Sequence, residues 1–401
     1  MNAHTYMIDV DLSKHPLHST FIHNRQAAMG SPHMQQSSAA ATRKINALQA
    51  LRAYAAISVM LGHGILEFHT TKGMVMPFNE FPLIAGVDIF FVLSGFVMYY
   101  TSEEMFGRPK AVLEFWRRRF IRLVPLYWFF TSLMVAVLLF LGNHVRSTEF
   151  NLWNVISSYL FIPSERPGGR IAPVLSLGWT LNYEVFFYFS FGLLLLFNKR
   201  NGLICLILSY LCLIVVSSLY NFSSVPVRFW GNSIIFEFIF GVLLGTLRVR
   251  VDLQKSLSFC LAIFLLGLII LLLGCNLEVP RFVKGGLPAA LMVYAALALP
   301  LSADRKIPGW IILLGDSSYA LYLCHRFVLR IVTIFFVEVT VPAGGQIFLY
   351  VFMTLSGSVI LSIMVHKFIE RPFLQLFSSK KRRYGKVKSS IIGDASINAL
   401  N

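Results

Sequence analysis

Between residues 45 and 375 the chain is a succession of apolar runs separated by short polar joints. An α-helix rises about 1.5 Å per residue, so about twenty apolar residues cross the hydrocarbon core of a bilayer. Runs of that length fall at about 47–67, 81–100, 124–142, 177–197, 203–220, 232–248, 257–275, 285–301, 318–337 and 347–369. They predict an all-α polytopic membrane protein of about ten transmembrane helices around a central cavity. The polar stretch 1–44 has no apolar core and no signal-peptide pattern, and reads as a disordered cytoplasmic leader; Met34 offers a second possible start. Residues 45–375 form the membrane domain, and 376–401 a basic cytoplasmic tail. The longest joint, 143–176, contains "WNVISSYLFI" (153–162), which suits a short helix lying along the interface.

Composition agrees. The chain is 56% hydrophobic and 13% charged, with a mean hydropathy of +0.67, whereas soluble domains carry about a quarter charged residues. A net charge of +16 raises the question of nucleic acid, but the basic residues sit in joints and tail, where they set topology. One side of the spans collects Arg43, Lys44, Arg108, Lys110, Arg117, Arg118, Arg119, Arg122, Lys199, Arg200, Arg248, Arg250 and the tail "KKRRYGKVK". The other has Lys72, Arg146, Arg166, Arg170, Arg228, Arg281 and Lys284. The richer side is expected to be cytoplasmic, with both termini inside a cell membrane. The five cysteines show no metal or redox spacing and read as reduced packing residues; no metal ligand set is apparent. Nothing in the sequence signals an oligomeric state.

Ionisable side chains inside such spans are costly, so each needs a reason. Arg52 and His63 share one face of span 1, about 16 Å apart along the axis. Counting from the expected membrane faces puts Arg52 in the inner half and His63 in the outer half. The same counting puts Asp88, in "GVDIFFVLSGF" (86–96), and Glu184, in "LGWTLNYEVFFY" (177–188), near the level of His63. His325 falls deeper, in the inner half of span 9, and Ser94 in the inner half of span 2. A histidine with two carboxylates at matched depth suits proton transfer; a lone buried histidine would more simply be a packing residue. Arg119 and Arg122, spaced i,i+3 in "FWRRRFIRLVPLYW" (115–128), share a helical face running into the membrane. They serve either as topology anchors or as guanidinium forks for a phosphate-rich ligand. "GVLLG" (241–245) reads as a site of close helix contact and "FFVLSG" (90–95) as a helix kink and close-packing site. Pro125 and Pro372 read as lying near span ends, where a missing N–H costs little.

Taken together, Arg52 and His63, "FFVLSG", the RxxR of Arg119 and Arg122, "GWTLNYEVFFY", "SYALYLCH" ending at His325, and "ERPF" (370–373) occur in an order that resembles the acyltransferase-3 family of integral membrane acyltransferases. The likeness covers about residues 45–375 and is nearest in form to the exopolysaccharide-production branch. It implies O-acylation, mostly O-acetylation, of an extracytoplasmic polysaccharide or lipid-linked glycan, with acetyl-CoA as the cytoplasmic donor and neither metal nor nucleic acid as partner. Arg52, Arg119 and Arg122, with Ser94 and His325, would then bind the donor. His63, with Asp88 or Glu184, would carry the chemistry, either as a general base or through an acyl-histidine intermediate. The competing reading is a saccharide transporter or flippase using a His/carboxylate proton relay, against which the chain shows no repeated halves.

Overall fold

Each of the ten predicted runs contains a helix. The computed structural model describes residues 45–73, 79–141, 150–220, 222–338 and 343–377, so the predicted leader and most of the tail lie outside the described residues. In chain order the helices are α1 (Asn46–Thr71), α2 (Gly86–Ser102), α3 (Pro109–Leu141), α4 (Leu152–Tyr159), α5 (Trp179–Leu194) and α6 (Lys199–Leu219). They continue with α7 (Phe236–Arg250), α8 (Leu257–Gly274), α9 (Leu287–Leu297), α10 (Gly309–Asp316), α11 (Ser318–Glu338) and α12 (Ala343–Val365). Among the described residues the only extended pairing is an isolated bridge, Glu165 to Ile171. The protein is all-α and polytopic: six helical stretches are long and apolar enough to cross a membrane by length and composition. Of the other four, α5, α7 and α9 have only 16, 15 and 11 residues, and α1, with 26, is not apolar enough, so length and composition do not establish ten crossings.

Two local features depart from the sequence reading. The arginine-rich stretch does not precede span 3; it is the first half of the single 33-residue α3. Pro125 therefore lies inside that helix, where its ring displaces one backbone hydrogen bond, rather than at an end. Elsewhere prolines are met by widened turns. A π-turn over Phe282–Gly286 closes with Leu287 N donating to Phe282 O just before Pro288. A second, over His366–Glu370, closes with Arg371 N donating to His366 O just before Pro372. Proline cannot donate the next bond in the ladder, and the preceding turn opens by one residue.

The centre of the bundle is set by glycines. A Cβ at Gly95 of α2 would lie 2.1 Å from Phe238 O, and one at Gly241 of α7 would lie 2.0 Å from Val92 O. The two "small" motifs thus face each other, backbone against backbone. Phe91, Phe187 and Phe238 stack around the contact, with centroids 4.9 Å (Phe91–Phe238) and 4.1 Å (Phe187–Phe238) apart. On the periphery, α6 and α8 expose Leu208, Leu211, Leu265, Leu272 and Leu273, the outward apolar faces that lipid contact requires. Gly241→Val should lower the melting temperature of the purified protein in detergent by about 5 °C or more, since backbone cannot yield to the added methyls. Gly309→Ala, where a Cβ meets nothing within 4 Å, should leave it unchanged.

Candidate active site

α1 and α11 run parallel, and two of the polar contacts between them are hydrogen-bond-short. Arg52 Nε donates to Ser318 Oγ at 3.2 Å, and His63 Nδ1 lies 3.0 Å from His325 Nε2. The two imidazoles are nearly parallel, 10° apart, with centroids at 5.3 Å. His325 is buried, and its Nδ1 lies 3.0 Å from Leu321 O. A carbonyl only accepts, so His325 Nδ1 carries the hydrogen; in the neutral ring Nε2 is then an acceptor. His63 must accordingly donate from Nδ1, which leaves the lone pair on His63 Nε2. The chain Leu321 O, His325, His63 thus fixes the tautomer of the half-buried ring, the task a carboxylate performs in a catalytic triad.

This arrangement corrects the depth assignment of His325: it stands beside His63, not below it. The cause is α10, which packs back on α1 with Gly315 against Gln49 O. α11 therefore starts next to Arg52, well inside the bundle, and seven residues bring it to His63.

Glu184 is also displaced from its expected level. It accepts from Ser94 Oγ at 2.9 Å and from Tyr188 Oη at 2.5 Å. It lies within electrostatic reach of Arg52 and Arg119, and Arg122 reaches both of these arginines. Arg119 is held by Thr101 Oγ1 at 2.6 Å and Val97 O at 3.4 Å, with its guanidinium over Phe115. Glu370, which pairs with His366 at 2.8 Å, and Asp316 also lie among the charges around Arg52. Glu184 thus belongs with the arginines because α5 starts late. The segment before it tucks into the bundle, with Leu175 and Leu177 buried. Tyr322 Oη, one turn before His325, donates to Leu177 O at 3.0 Å and meets Thr180 Oγ1 at 2.9 Å. From that level Glu184 is about 10 Å farther along the helix axis.

Asp88 is likewise not a partner of His63. It takes a bidentate pair from Arg281, Nε to Oδ1 and Nη2 to Oδ2, both 2.9 Å. Arg281 also lies over Trp179 and Phe81, at 5.5 and 5.8 Å. Gly285 and Gly286 of the first π-turn let the chain approach Asp88 and Glu237, which interact with each other and with the same arginine. Sequence reasoning missed Glu237. Its signal was present: it is the sole carboxylate between Glu184 and Asp252. The trio His63, Asp88 and Glu184 therefore separates into three sites: a histidine pair, a carboxyl–arginine lock, and an arginine–Glu184 cluster that includes Ser94. Among the described residues no group of His, Cys, Asp or Glu converges as a metal site, and all five cysteines are unpaired.

The helical bundle thus holds a tautomer-fixed histidine pair toward one end of α1 and a cluster of arginines toward the other. A family model described as an acyltransferase domain matches residues 45–363, and the chain belongs to this acyltransferase-3 family. The exopolysaccharide production protein ExoZ of Rhizobium meliloti is 33% identical over 318 residues, 78% of this chain and 94% of that protein. A putative peptidoglycan O-acetyltransferase, YrhL of Bacillus subtilis, is 26% identical over 385 residues. The O-acetyltransferase OatA of Staphylococcus aureus is 24% identical over 361. The matches cover 85% and 82% of this chain but only 57% of each of those two proteins. No solved structure matches.

Proposed function

We propose that the protein is an integral membrane O-acetyltransferase that moves an acetyl group from acetyl-CoA to a hydroxyl of an extracytoplasmic polysaccharide or lipid-linked glycan. The observation that carries the reading is the order of groups along α1. Arg52 and Arg119 each lie within charge reach of Arg122 and Glu184, and His63, with a lone pair directed by His325, is about 16 Å from Arg52 along the helix axis. Guanidinium forks suit the phosphates of coenzyme A, and the pantetheine arm spans the distance to the histidine. The names of ExoZ, YrhL and OatA support a polysaccharide or glycan acceptor and an acetyl group. The excess of Lys and Arg on one set of joints supports a cytoplasmic arginine end and cytoplasmic termini.

In this mechanism His63 Nε2 accepts the proton of the acceptor hydroxyl as its oxygen attacks the thioester carbonyl. The C–S bond then breaks, and the proton passes from His63 to the departing thiolate. Glu184, held by Ser94 and Tyr188, keeps Arg52 and Arg119 aligned by charge. Asp88 with Arg281 fastens the start of α2 against the turn before α9, a positioning role. Purified protein given labelled acetyl-CoA and polysaccharide should place label on the polysaccharide. Saccharide movement across a vesicle membrane with no label transferred would instead support the transporter reading. Arg119→Ala and Arg122→Ala should raise the apparent KM for acetyl-CoA about tenfold without loss of accumulated protein, and Arg→Lys should rescue only in part. Unchanged donor kinetics in both alanine variants would leave the arginines as topology anchors.

A further inference from the structure

The surroundings of His63 on the side away from Arg52 carry a second pattern. Glu67, one helical turn beyond His63, faces Arg326 and Arg330 on α11 at 3.9 and 3.7 Å. Both contacts are longer than hydrogen bonds. Arg326 follows His325 directly, and all of these side chains are partly exposed. A third arginine, Arg170, from the segment before α5, lies within charge reach of both His63 and Arg326.

Arg170 is presented by a loop that is built, not loose. Gly168 and Gly169 take positive φ values of 95° and 84°, turning the chain so that Glu165 pairs with Ile171 and Arg166 N donates to Arg170 O at 2.9 Å. The buried Arg166 guanidinium donates to the carbonyls of Ala172 (3.1 Å), Pro173 and Val174 (2.9 Å), stapling the loop from within. Asn154 and Ser158 of α4 tie it down, the first donating to Ala172 O at 3.0 Å, the second accepting from Val174 N at 2.8 Å. The exposed Arg170 is therefore carried by an already ordered loop within charge reach of His63, at little further ordering cost.

We infer that Arg170 and Arg326 form an anion-binding subsite beside His63, and that the acceptor saccharide carries an anionic oxygen group near the hydroxyl that is acylated. A neutral sugar would accept single hydrogen bonds from these guanidinium groups. A carboxylate or phosphate would add opposite charge and a two-point fit to the planar fork. The shared chemistry has two sources, a carboxylated sugar unit or the phosphate of a lipid-linked or phosphorylated glycan. The inference rests on the acyl-transfer reading above and names the substrate class for it.

The test uses the purified full-length protein, saturating acetyl-CoA and polysaccharide from a strain lacking this gene. The polysaccharide is supplied untouched, with its carboxyls reduced to alcohols, and after removal of phosphate with hydrofluoric acid. One of the two treatments should raise the acceptor KM about ten- to a hundredfold and leave the acetyl-CoA KM unchanged, and the treatment that does so identifies the source. Arg170→Gln, at an exposed loop position, should raise the KM for untouched acceptor to a similar extent and have little effect on the neutralised one. Arg326→Gln should act in the same direction. Equal KM values for all three acceptors, or an Arg170→Gln enzyme indistinguishable from the parent on untouched acceptor, would overturn the subsite while leaving acetyl transfer standing. Absence of label on every acceptor with the parent enzyme would instead overturn the acyl-transfer reading, and the subsite with it.

Discussion

His63→Gln is expected to insert and accumulate normally and to transfer acetyl groups about 10²- to 10⁴-fold more slowly than the parent. Glutamine keeps a hydrogen-bonding side chain of similar reach, so the contact with His325 is not simply deleted. It has no nitrogen lone pair able to take a proton near neutral pH, so the hydroxyl must attack unassisted. His63 is partly exposed, which limits the packing contribution lost with the ring. KM for acetyl-CoA should change little, because in the proposed mechanism the donor phosphates are met at the arginine end, and Arg52 is about 16 Å from His63 along α1. Thermal unfolding of the same preparation separates lost chemistry from lost fold. A variant that melts with the parent and retains a tenth or more of its rate would remove the histidine from the proton transfer.

The second large effect concerns His325, the positioning residue behind His63. His325→Ala should lower kcat by roughly 10²-fold or more with acetyl-CoA KM unchanged. With no acceptor at Nδ1, the His63 ring is free to turn or to carry its hydrogen on Nε2, where it blocks the base. Glutamine at 325 offers a carbonyl oxygen to the same Nδ1–H and should recover part of the rate. A purely structural role would lower the melting temperature and the amount of folded enzyme, and glutamine would not restore kcat per folded molecule. A donor-binding role, expected from sequence, would appear as a raised acetyl-CoA KM instead. The KM-against-kcat split decides among the three.

Much of the helical framework was legible because long apolar runs have few alternatives to helix in a bilayer. Gly95 and Gly241 were legible as places of close approach, but that they meet each other was not, because a small-residue motif does not name its partner helix. The arginine cluster could be anticipated from the i,i+3 spacing of Arg119 and Arg122. What residue counting did not yield was depth. It assumes that every helix begins at a membrane face. α5 begins inside, after a segment stapled by Arg166, and α11 begins inside, after α10 folds onto α1. Those two starts move Glu184 toward the arginines and His325 up to His63, and they dissolve the expected carboxylate–histidine trio. The partner of Asp88 was hidden differently. Arg281 lies outside the helical runs and counted as a topology charge, while Glu237 sat unremarked in an apolar run.

In the proposed reaction the donor is received at the arginine end of α1 and the acetyl group is delivered at the histidine end. The direct measurement encloses polysaccharide acceptor in sealed vesicles containing the purified protein and adds labelled acetyl-CoA outside. Molecules inserted with the arginine end outward should then label the enclosed polysaccharide, and vesicles carrying His63→Gln should not. Label appearing only when donor and acceptor share one side of the membrane, or appearing equally with His63→Gln, would contradict that reaction.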